Sequence, residues 1–142
     1  MTTQAGEYKK PLPRPMNTEL TKPFWDAAKR HELVLPRCRK CSRYHFYPRE
    51  LCPFCLSQNL EWVPASGRGY LYTYAVVNQP GHPAFAADVP YVYAIVRLVE
   101  GVTMPSNVVD YQSLDDLRVD MPLVALFDDA TPEWTLVKFK PA

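Results

Sequence analysis

All four cysteines of the chain fall into two pairs, Cys38-Arg-Lys-Cys41 and Cys52-Pro-Phe-Cys55, separated by ten residues. A Cys-x-x-Cys knuckle curls so that both thiolates point at one centre, and a second knuckle completes the tetrahedral sulfur set that Zn²⁺ prefers. We therefore predict one structural zinc ion per chain. Its expected ligands are Cys38, Cys41, Cys52 and Cys55. Because the protein fills all four coordination positions, this metal is expected to fold the chain and not to catalyse.

Two other uses of these cysteines compete with zinc. Disulfides need an oxidising compartment, but residues 1–20 contain no apolar run typical of a signal peptide, so a cytoplasmic location is expected. Iron in a rubredoxin-like tetrathiolate stays open, because ligand type alone does not separate iron from zinc. An iron-loaded protein would be a one-electron carrier, and its colour would identify it.

Charge is distributed unevenly along the 142 residues, although the formal net charge is only +1. The segment 23–49 has seven Lys and Arg residues, whereas the segment 110–142 has seven Asp and Glu residues. Such polarity fits an anionic ligand, a nucleic acid or an acidic protein surface near the cysteines. No stretch has the length and apolar composition of a membrane span, so no membrane association is expected.

One short helix is expected before the first knuckle. Residues 1–20 are rich in proline and predict an extended or disordered arm. Residues 21–31 predict a helix in which Thr21 caps the N-terminus and Pro23 lies in the first turn. Such a helix is too short to be stable alone, so Phe24 and Trp25 must pack against the chain's own core or a partner subunit.

Beyond the knuckles the composition is typical of strands. Five segments have alternating or β-rich patterns: residues 70–77, 91–99, 102–110, 123–127 and 134–139. Ser113 can cap a short helix before the fourth of them. Five short strands with a helix at this position favour a Greek-key barrel of the OB-fold type.

The predicted fold is therefore mainly β. An arm (1–20) precedes an N-terminal helix and zinc ribbon (21–64), and a five-stranded OB-fold barrel (65–142) follows. No catalytic constellation accompanies this fold. His31, His45 and His82 lie in different segments, and the sequence contains no nucleophile elbow, phosphate-binding loop or His-Glu-x-x-His motif. We therefore expect no enzymatic activity from the chain alone.

The order of several short motifs resembles a known family. The run Pro-Phe-Trp-Asp-Ala-Ala-Lys-Arg-His-Glu-Leu (23–33) precedes the knuckles, Phe46-Tyr-Pro-Arg49 lies between them, and Gly67-Arg-Gly69 enters the first barrel strand. Val89-Pro-Tyr91 enters the second strand, and the chain closes on Lys138-Phe-Lys-Pro-Ala142. Over residues 18–142 the chain resembles the acyl-CoA-associated OB-fold family first catalogued as domain of unknown function thirty-five.

One position departs from the pattern of that family. Ser42 follows the first knuckle, where the family usually has glycine. A serine there would need strain or a local hydrogen bond if the backbone φ is positive.

The resemblance implies both a fold and a role. Members pair an N-terminal helix and a rubredoxin-like zinc ribbon with an OB-fold, and the four cysteines of this chain match their zinc ligands. They commonly act as small, non-catalytic accessory subunits of thiolase-superfamily enzymes, where they support complex assembly and acyl-CoA binding in acyl-CoA degradation or acyl transfer. The resemblance thus implies a hetero-oligomer with a thiolase-like large subunit and a coenzyme A thioester as shared ligand.

Two sets of residues are predicted to serve that role. The basic helix and ribbon would contact the partner through exposed aromatic anchors and surrounding cations: Phe24, Trp25, Arg37, Arg39, Lys40, Arg43 and Arg49. A cleft between the basic ribbon and the aromatic barrel would hold acyl-CoA, with one end suited to phosphates and the other to an apolar arm. Its expected lining is His82, Phe85, Tyr91 and Arg97.

A different class of function competes with this one. Zinc ribbons and OB-folds both occur in nucleic-acid-binding proteins, and the ribbon here is basic. Single-strand binders, however, interleave cations with stacking aromatics on the barrel strands. Here only Arg68 and Arg97 lie on or beside the first two strands, and the last third of the chain is acidic, so we rank nucleic-acid binding second.

Overall fold

A computed structural model describes residues 8–12 and 18–142 of the chain. Its one α-helix and seven strands are α1 (Thr18–Lys29), β1 (Val34–Cys38), β2 (Leu60–Pro64), β3 (Arg68–Val77), β4 (Tyr91–Leu98), β5 (Thr103–Val108), β6 (Pro122–Asp128) and β7 (Leu136–Pro141). Two short 3₁₀ turns lie at Pro83–Phe85 and Leu114–Asp116. Residues 1–7 and 13–17, which make up most of the predicted arm, lie outside the described residues. Within the described part of the chain, no helix has the length and apolar character needed to cross a bilayer.

The five strands of the C-terminal part close into a barrel in the order β3-β4-β5-β7-β6, which confirms the predicted OB-fold. Alternation places Leu71 inside the barrel and exposes Tyr70 and Tyr72 on either side of it. Gly69 pairs with both β4 and β6, and the strands approach closely there. A Cβ on Gly69 would lie 2.6 Å from a backbone oxygen of β4, so no larger residue fits without a shift.

Helix α1 begins earlier than expected. It starts at Thr18, so the predicted cap at Thr21 is wrong, and Pro23 lies inside the helix. Pro23 lacks the N–H that would donate to the Glu19 carbonyl, so the disturbance it causes falls in the first turn, near the helix end. At the other end His31 adopts φ 59°, and the N–H groups of His31 and Glu32 donate to the carbonyls of Ala28 and Ala27. These two bonds form a Schellman cap, which ends the helix.

Helix α1 joins the ribbon to the barrel. Phe24 packs edge-on against Trp25 and contacts Phe46 of the ribbon, while the Trp25 ring meets Trp134 of the barrel with centroids 5.0 Å apart. His31 stacks on Phe127 at the end of the helix. The helix therefore packs on both modules at once.

The prediction of Phe24 as an exposed anchor is wrong. Its side chain is 7% exposed and belongs to the same core as Leu35 of β1 and Leu71 of β3. A short helix needs such burial to be stable, and the chain's own core supplies it. Trp25 is partly buried against Trp134, so part of its side chain already packs within the chain.

Candidate metal centre and neighbouring surfaces

The two knuckles have the same backbone geometry. In the first, which follows directly from β1, the Ser42 N–H donates to the Cys38 carbonyl at 2.8 Å; in the second, the Leu56 N–H donates to the Cys52 carbonyl at 2.9 Å. Ser42 has φ 65° and Leu56 has φ 62°. The conformation expected to favour glycine is therefore present at both positions, and a local hydrogen bond holds each residue in it.

The four sulfur atoms converge on one point. All four Sγ atoms lie within 4.8 Å of one another, with Cys38 to Cys55 at 3.5 Å and Cys41 to Cys52 at 3.6 Å. Four thiolates around Zn²⁺ at about 2.3 Å would be separated by about 3.8 Å. The cysteines are free, since a disulfide would need a sulfur–sulfur distance of about 2.05 Å. The donor set and its spacing therefore fit a tetrahedral metal ion.

Backbone N–H groups prepare the sulfur atoms for a cation. The N–H of Cys41 donates to the Cys38 Sγ at 3.4 Å, and this bond is the main reason that the pKa of Cys38 falls to about 6. At Cys55 the Ser57 backbone N–H acts in the same direction, but burial and the neighbouring sulfurs outweigh it and raise the pKa to about 11. Neighbouring thiolates thus oppose one another's ionisation, and a divalent cation among them would remove that opposition.

The imidazole of His45 is buried in the segment between the two knuckles. The residue is 4% exposed, and neither ring nitrogen has a partner within the described chain. Burial, with a smaller contribution from the Arg49 charge, lowers its pKa. The neutral imidazole therefore fills space in the ribbon, as a core residue would.

The cations predicted for a partner interface differ in their ion pairing. Arg37 and Arg39 contact Glu61 of β2, with the closest approach 3.0 Å from the Arg39 Nε. By contrast, Lys40 and Arg49 are exposed and form no ion pair with any described residue. Two of the predicted interface cations are thus partly neutralised within the ribbon.

Two exposed apolar residues next to the metal site were not predicted. Phe54 and Leu56 are 55% and 71% exposed, and the Arg43 guanidinium lies 4.8 Å from the centre of the Phe54 ring. The sequence signal was available in the equivalence of Leu56 with Ser42, since both residues directly follow a knuckle. A leucine is strained by the positive φ at that position, and its exposed side chain adds nothing to the packing of the core.

A groove of about 650 Å³ lies against the barrel between residues 8–12, the loop 85–91 and the ends of β5 and β7. Phe85 and Tyr91 both line it, with ring centroids 6.1 Å apart. The Lys10 Nζ lies 2.6 Å from a carboxylate oxygen of Asp88, which fastens the N-terminal segment over the groove.

Only part of the predicted acyl-CoA lining meets in this groove, and the groove does not lie between ribbon and barrel as expected, because its lining comes from residues 8–12 and from the C-terminal part of the chain. His82 stands at the edge, where its Nδ1 accepts the Ala84 N–H and its ring packs against Phe85. Arg97 does not line the groove. Its guanidinium lies over the Tyr72 ring, and six residues of β4 separate it from Tyr91, a span of about 20 Å.

Residues 25–61 match the family described as ChsH2, rubredoxin-like zinc ribbon domain, and residues 62–128 match ChsH2, C-terminal OB-fold domain. The solved structure of Ltp2-ChsH2(DUF35) aldolase contains a chain that is 38% identical, with a TM-score of 0.80 over 90% of this chain and 98% of that one. A probable enoyl-CoA hydratase alpha subunit from Thermomonospora curvata is 38% identical over 142 residues, or 99% of this chain.

The benzoylsuccinyl-CoA thiolase subunit BbsA from Geobacter metallireducens is 28% identical over 102 residues, which cover 68% of this chain and 66% of BbsA. The chain spans only 44% of the length of the hydratase alpha subunit. The matched chain of the aldolase structure, in contrast, is covered over 98% of its length. The chain therefore belongs to the DUF35 family and has the rubredoxin-like zinc ribbon and OB-fold of ChsH2.

Proposed function

We propose that this protein is a non-catalytic, zinc-containing accessory subunit of a thiolase-superfamily enzyme in the cytoplasm. In this role it supports complex assembly and acyl-CoA binding in a degradation or acyl-transfer pathway. The observation that carries the proposal is the near-complete match to the ChsH2(DUF35) chain of an aldolase. The relative BbsA adds support because its name describes it as a thiolase subunit.

The zinc ion, when bound, supplies a cross-link between the two knuckles and no chemistry on substrate. Cys38, Cys41, Cys52 and Cys55 would hold it. Strands β1 and β2 pair along their whole length, from Val34 opposite Pro64 to Cys38 opposite Leu60. This pairing holds both knuckles at one end of the hairpin. A ribbon stabilised in this way is a rigid element for contact with another subunit.

Acyl-CoA is the ligand we propose for the groove. Its volume of about 650 Å³ lies in the range of small-molecule sites, and Phe85 and Tyr91 give it an aromatic wall suited to an acyl-pantetheine arm. The basic side chains that could contact the phosphates of CoA are Lys10 and Lys138, which line the groove, and His82, which lies beside Phe85 at its edge. Both amines already contact carboxylates, so the groove alone favours the apolar arm over the phosphates.

The nucleic-acid alternative has less support. The Tyr72 ring on the outer face of the barrel is covered by the Arg97 guanidinium at 4.4 Å, so one face that could stack a base is occupied. The groove carries Asp88 and Asp110 in addition to its amines, which would repel a phosphate backbone.

The test is reconstitution with a thiolase-superfamily protein recovered together with this chain by affinity capture from a native cell lysate. Native mass spectrometry should show a hetero-oligomer, and calorimetry on that complex should show acyl-CoA binding. Replacing Phe85 and Tyr91 by alanine should weaken binding or raise the KM, whereas Tyr93→Ala, an exposed tyrosine outside the groove, should not. Turnover of acyl-CoA by the isolated chain would contradict the proposal, and so would a partner that is equally active and stable without it.

A further inference from the structure

The tip of the second knuckle exposes apolar surface that folding does not explain. Leu56 is 71% exposed and has φ 62°, a conformation in which every side chain other than that of glycine meets steric strain. Neighbouring Phe54 is 55% exposed. A single exposed leucine is ordinary in proteins, but a strained one beside an exposed aromatic ring contributes nothing to the core and raises the cost of the turn.

The first knuckle places positive charge beside these side chains. The Arg43 guanidinium lies 4.8 Å from the Phe54 ring centre, which fixes the two knuckle tips next to each other. Neither Arg43 nor Lys40 forms an ion pair with any described residue, whereas Arg37 and Arg39 both contact Glu61. We name Lys40, Arg43, Phe54 and Leu56 the knuckle patch.

We propose that the knuckle patch is the docking surface for the large subunit, at a site where an apolar pocket is bordered by carboxylates. The inference rests on the proposed function and specifies which face of this chain the partner contacts. An aromatic ring and a leucine surrounded by uncompensated cations match the composition of interface cores, which are enriched in aromatic residues and arginine. Cations that make no ion pair within the described chain remain available to carboxylates of a partner, and such complementary charge favours association with an acidic rim.

Other occupants fit the patch less well. A nucleic acid would stack bases on an open ring, but the Arg43 guanidinium already covers one face of Phe54. A membrane surface is bound by a broad apolar face, such as that of an amphipathic helix, and two side chains on a turn do not provide one. A protein pocket needs only a small, rigid apolar tip, which the zinc knuckle supplies.

The decisive variant is Leu56→Gly, because it separates folding from binding. Glycine tolerates positive φ, so the variant should retain its zinc and melt at the same temperature as the wild type or higher. Removal of the leucine side chain should nevertheless weaken binding to the purified thiolase-superfamily protein by about tenfold or more. Lys40→Glu should weaken binding and slow association, and the loss should shrink at high salt.

The control is Val119→Ser, which removes another exposed apolar side chain (54% exposed) from the turn before β6, away from the ribbon. Its affinity should stay within about twofold of the wild type. The assay is biolayer interferometry with the full chain and the separately purified large subunit. Zinc content and melting temperature are measured for every variant.

The outcomes separate the inference from the proposed function. Binding that is weakened by Leu56→Gly and Lys40→Glu but not by Val119→Ser supports the patch. Equal binding by all variants leaves the accessory role intact and overturns the patch. No binding by the wild-type chain overturns both. If the patch variants instead abolish binding to single-stranded RNA, to anionic vesicles or to a second copy of the chain, while the large subunit still binds normally, the patch serves that other occupant and the inference is wrong.

Discussion

Loss of one thiolate from the four-cysteine site should destabilise the whole chain, and Cys52→Ser is the cleanest way to test this. Cys52 is buried, its Sγ accepts the Phe54 N–H, and it lies 3.6 Å from the Cys41 Sγ. A serine hydroxyl at this position is a poor ligand for a thiolate-bound metal. The substitution therefore removes a ligand while changing the volume of the side chain very little.

The magnitude follows from the energy of structural zinc. Binding contributes about 10–16 kcal/mol to folding in small thiolate modules, so an equal share for each of four ligands is about 3 kcal/mol. Complete domains are stable by only about 5–15 kcal/mol. A loss of about 3 kcal/mol in a chain of this length corresponds to a fall in melting temperature of roughly 10 °C.

The destabilisation should reach the barrel. Leu33 and Leu35, next to and within β1, belong to the same core as Leu71 and Phe139 of the barrel. Phe24 connects the same core to Phe46 between the knuckles. A ribbon that loosens therefore exposes apolar surface of the barrel as well.

The assay is thermal unfolding of wild type and Cys52→Ser by circular dichroism of the strands, with metal content measured on the same samples. Ser42→Gly is the control, since it changes the other knuckle without touching a ligand and relieves a positive φ. It should retain one zinc per chain and its full stability. A metal-free, colourless Cys52→Ser protein that melts like the wild type would refute the reasoning, and a coloured wild-type protein would identify iron.

Three further predictions concern packing and pH. Gly69→Ala should lower the free energy of unfolding, measured by urea titration, by about 2 kcal/mol or more, because the new Cβ would lie 2.6 Å from a backbone oxygen. Gly81→Ala is the control, since nothing lies within 4 Å of its Cβ, and it should change that free energy by less than about 0.5 kcal/mol. Trp25→Ala should destabilise the isolated chain by about 2 kcal/mol through lost packing on the barrel; full stability with weakened complex formation would instead make Trp25 a partner anchor. The pKa of His45 is lowered from 6.5 in the folded state, so the unfolded state takes up a proton first, and stability should fall as the pH drops below 6.5. His45→Phe should reduce that fall in acid titrations followed by fluorescence, and an unchanged pH profile would contradict this.

The parts of the molecule that sequence predicted well are those set by short-range spacing. Two residues between cysteines determine a knuckle, and a period of two places Tyr70 and Tyr72 outside the barrel with Leu71 inside. Ser113 caps the short turn before β6 by accepting the Asp115 N–H. Each of these features is determined by residues a few positions apart, so it can be recognised from the local sequence alone.

The errors arise where a choice depends on distant residues. Phe24 and Trp25 are adjacent in sequence, and nothing local shows that Phe24 enters the core while Trp25 packs on the barrel surface. Tyr91 and Arg97 lie at opposite ends of one strand, so membership of β4 does not place them together. One wall of the groove is held by the contact of Lys10 with Asp88. These residues are 78 positions apart in the sequence (88 − 10), and a local pattern cannot predict a contact over that distance.

The single core has a consequence for the role we propose. The groove lies on the barrel and the knuckle patch lies on the ribbon, so the two act together only if their relative position is fixed. Three contacts fix it: Trp25 against Trp134, the stack of His31 on Phe127, and the His31 Nε2 at 2.9 Å from Asp129, whose other oxygen accepts the Thr135 hydroxyl. A large subunit that docks on the knuckle patch would therefore find the groove at a defined place beside it. In the role we propose, the metal that folds the ribbon would affect acyl-CoA only by fixing the position of the groove, so a closed, fully coordinated zinc site would contribute to a reaction that it does not catalyse.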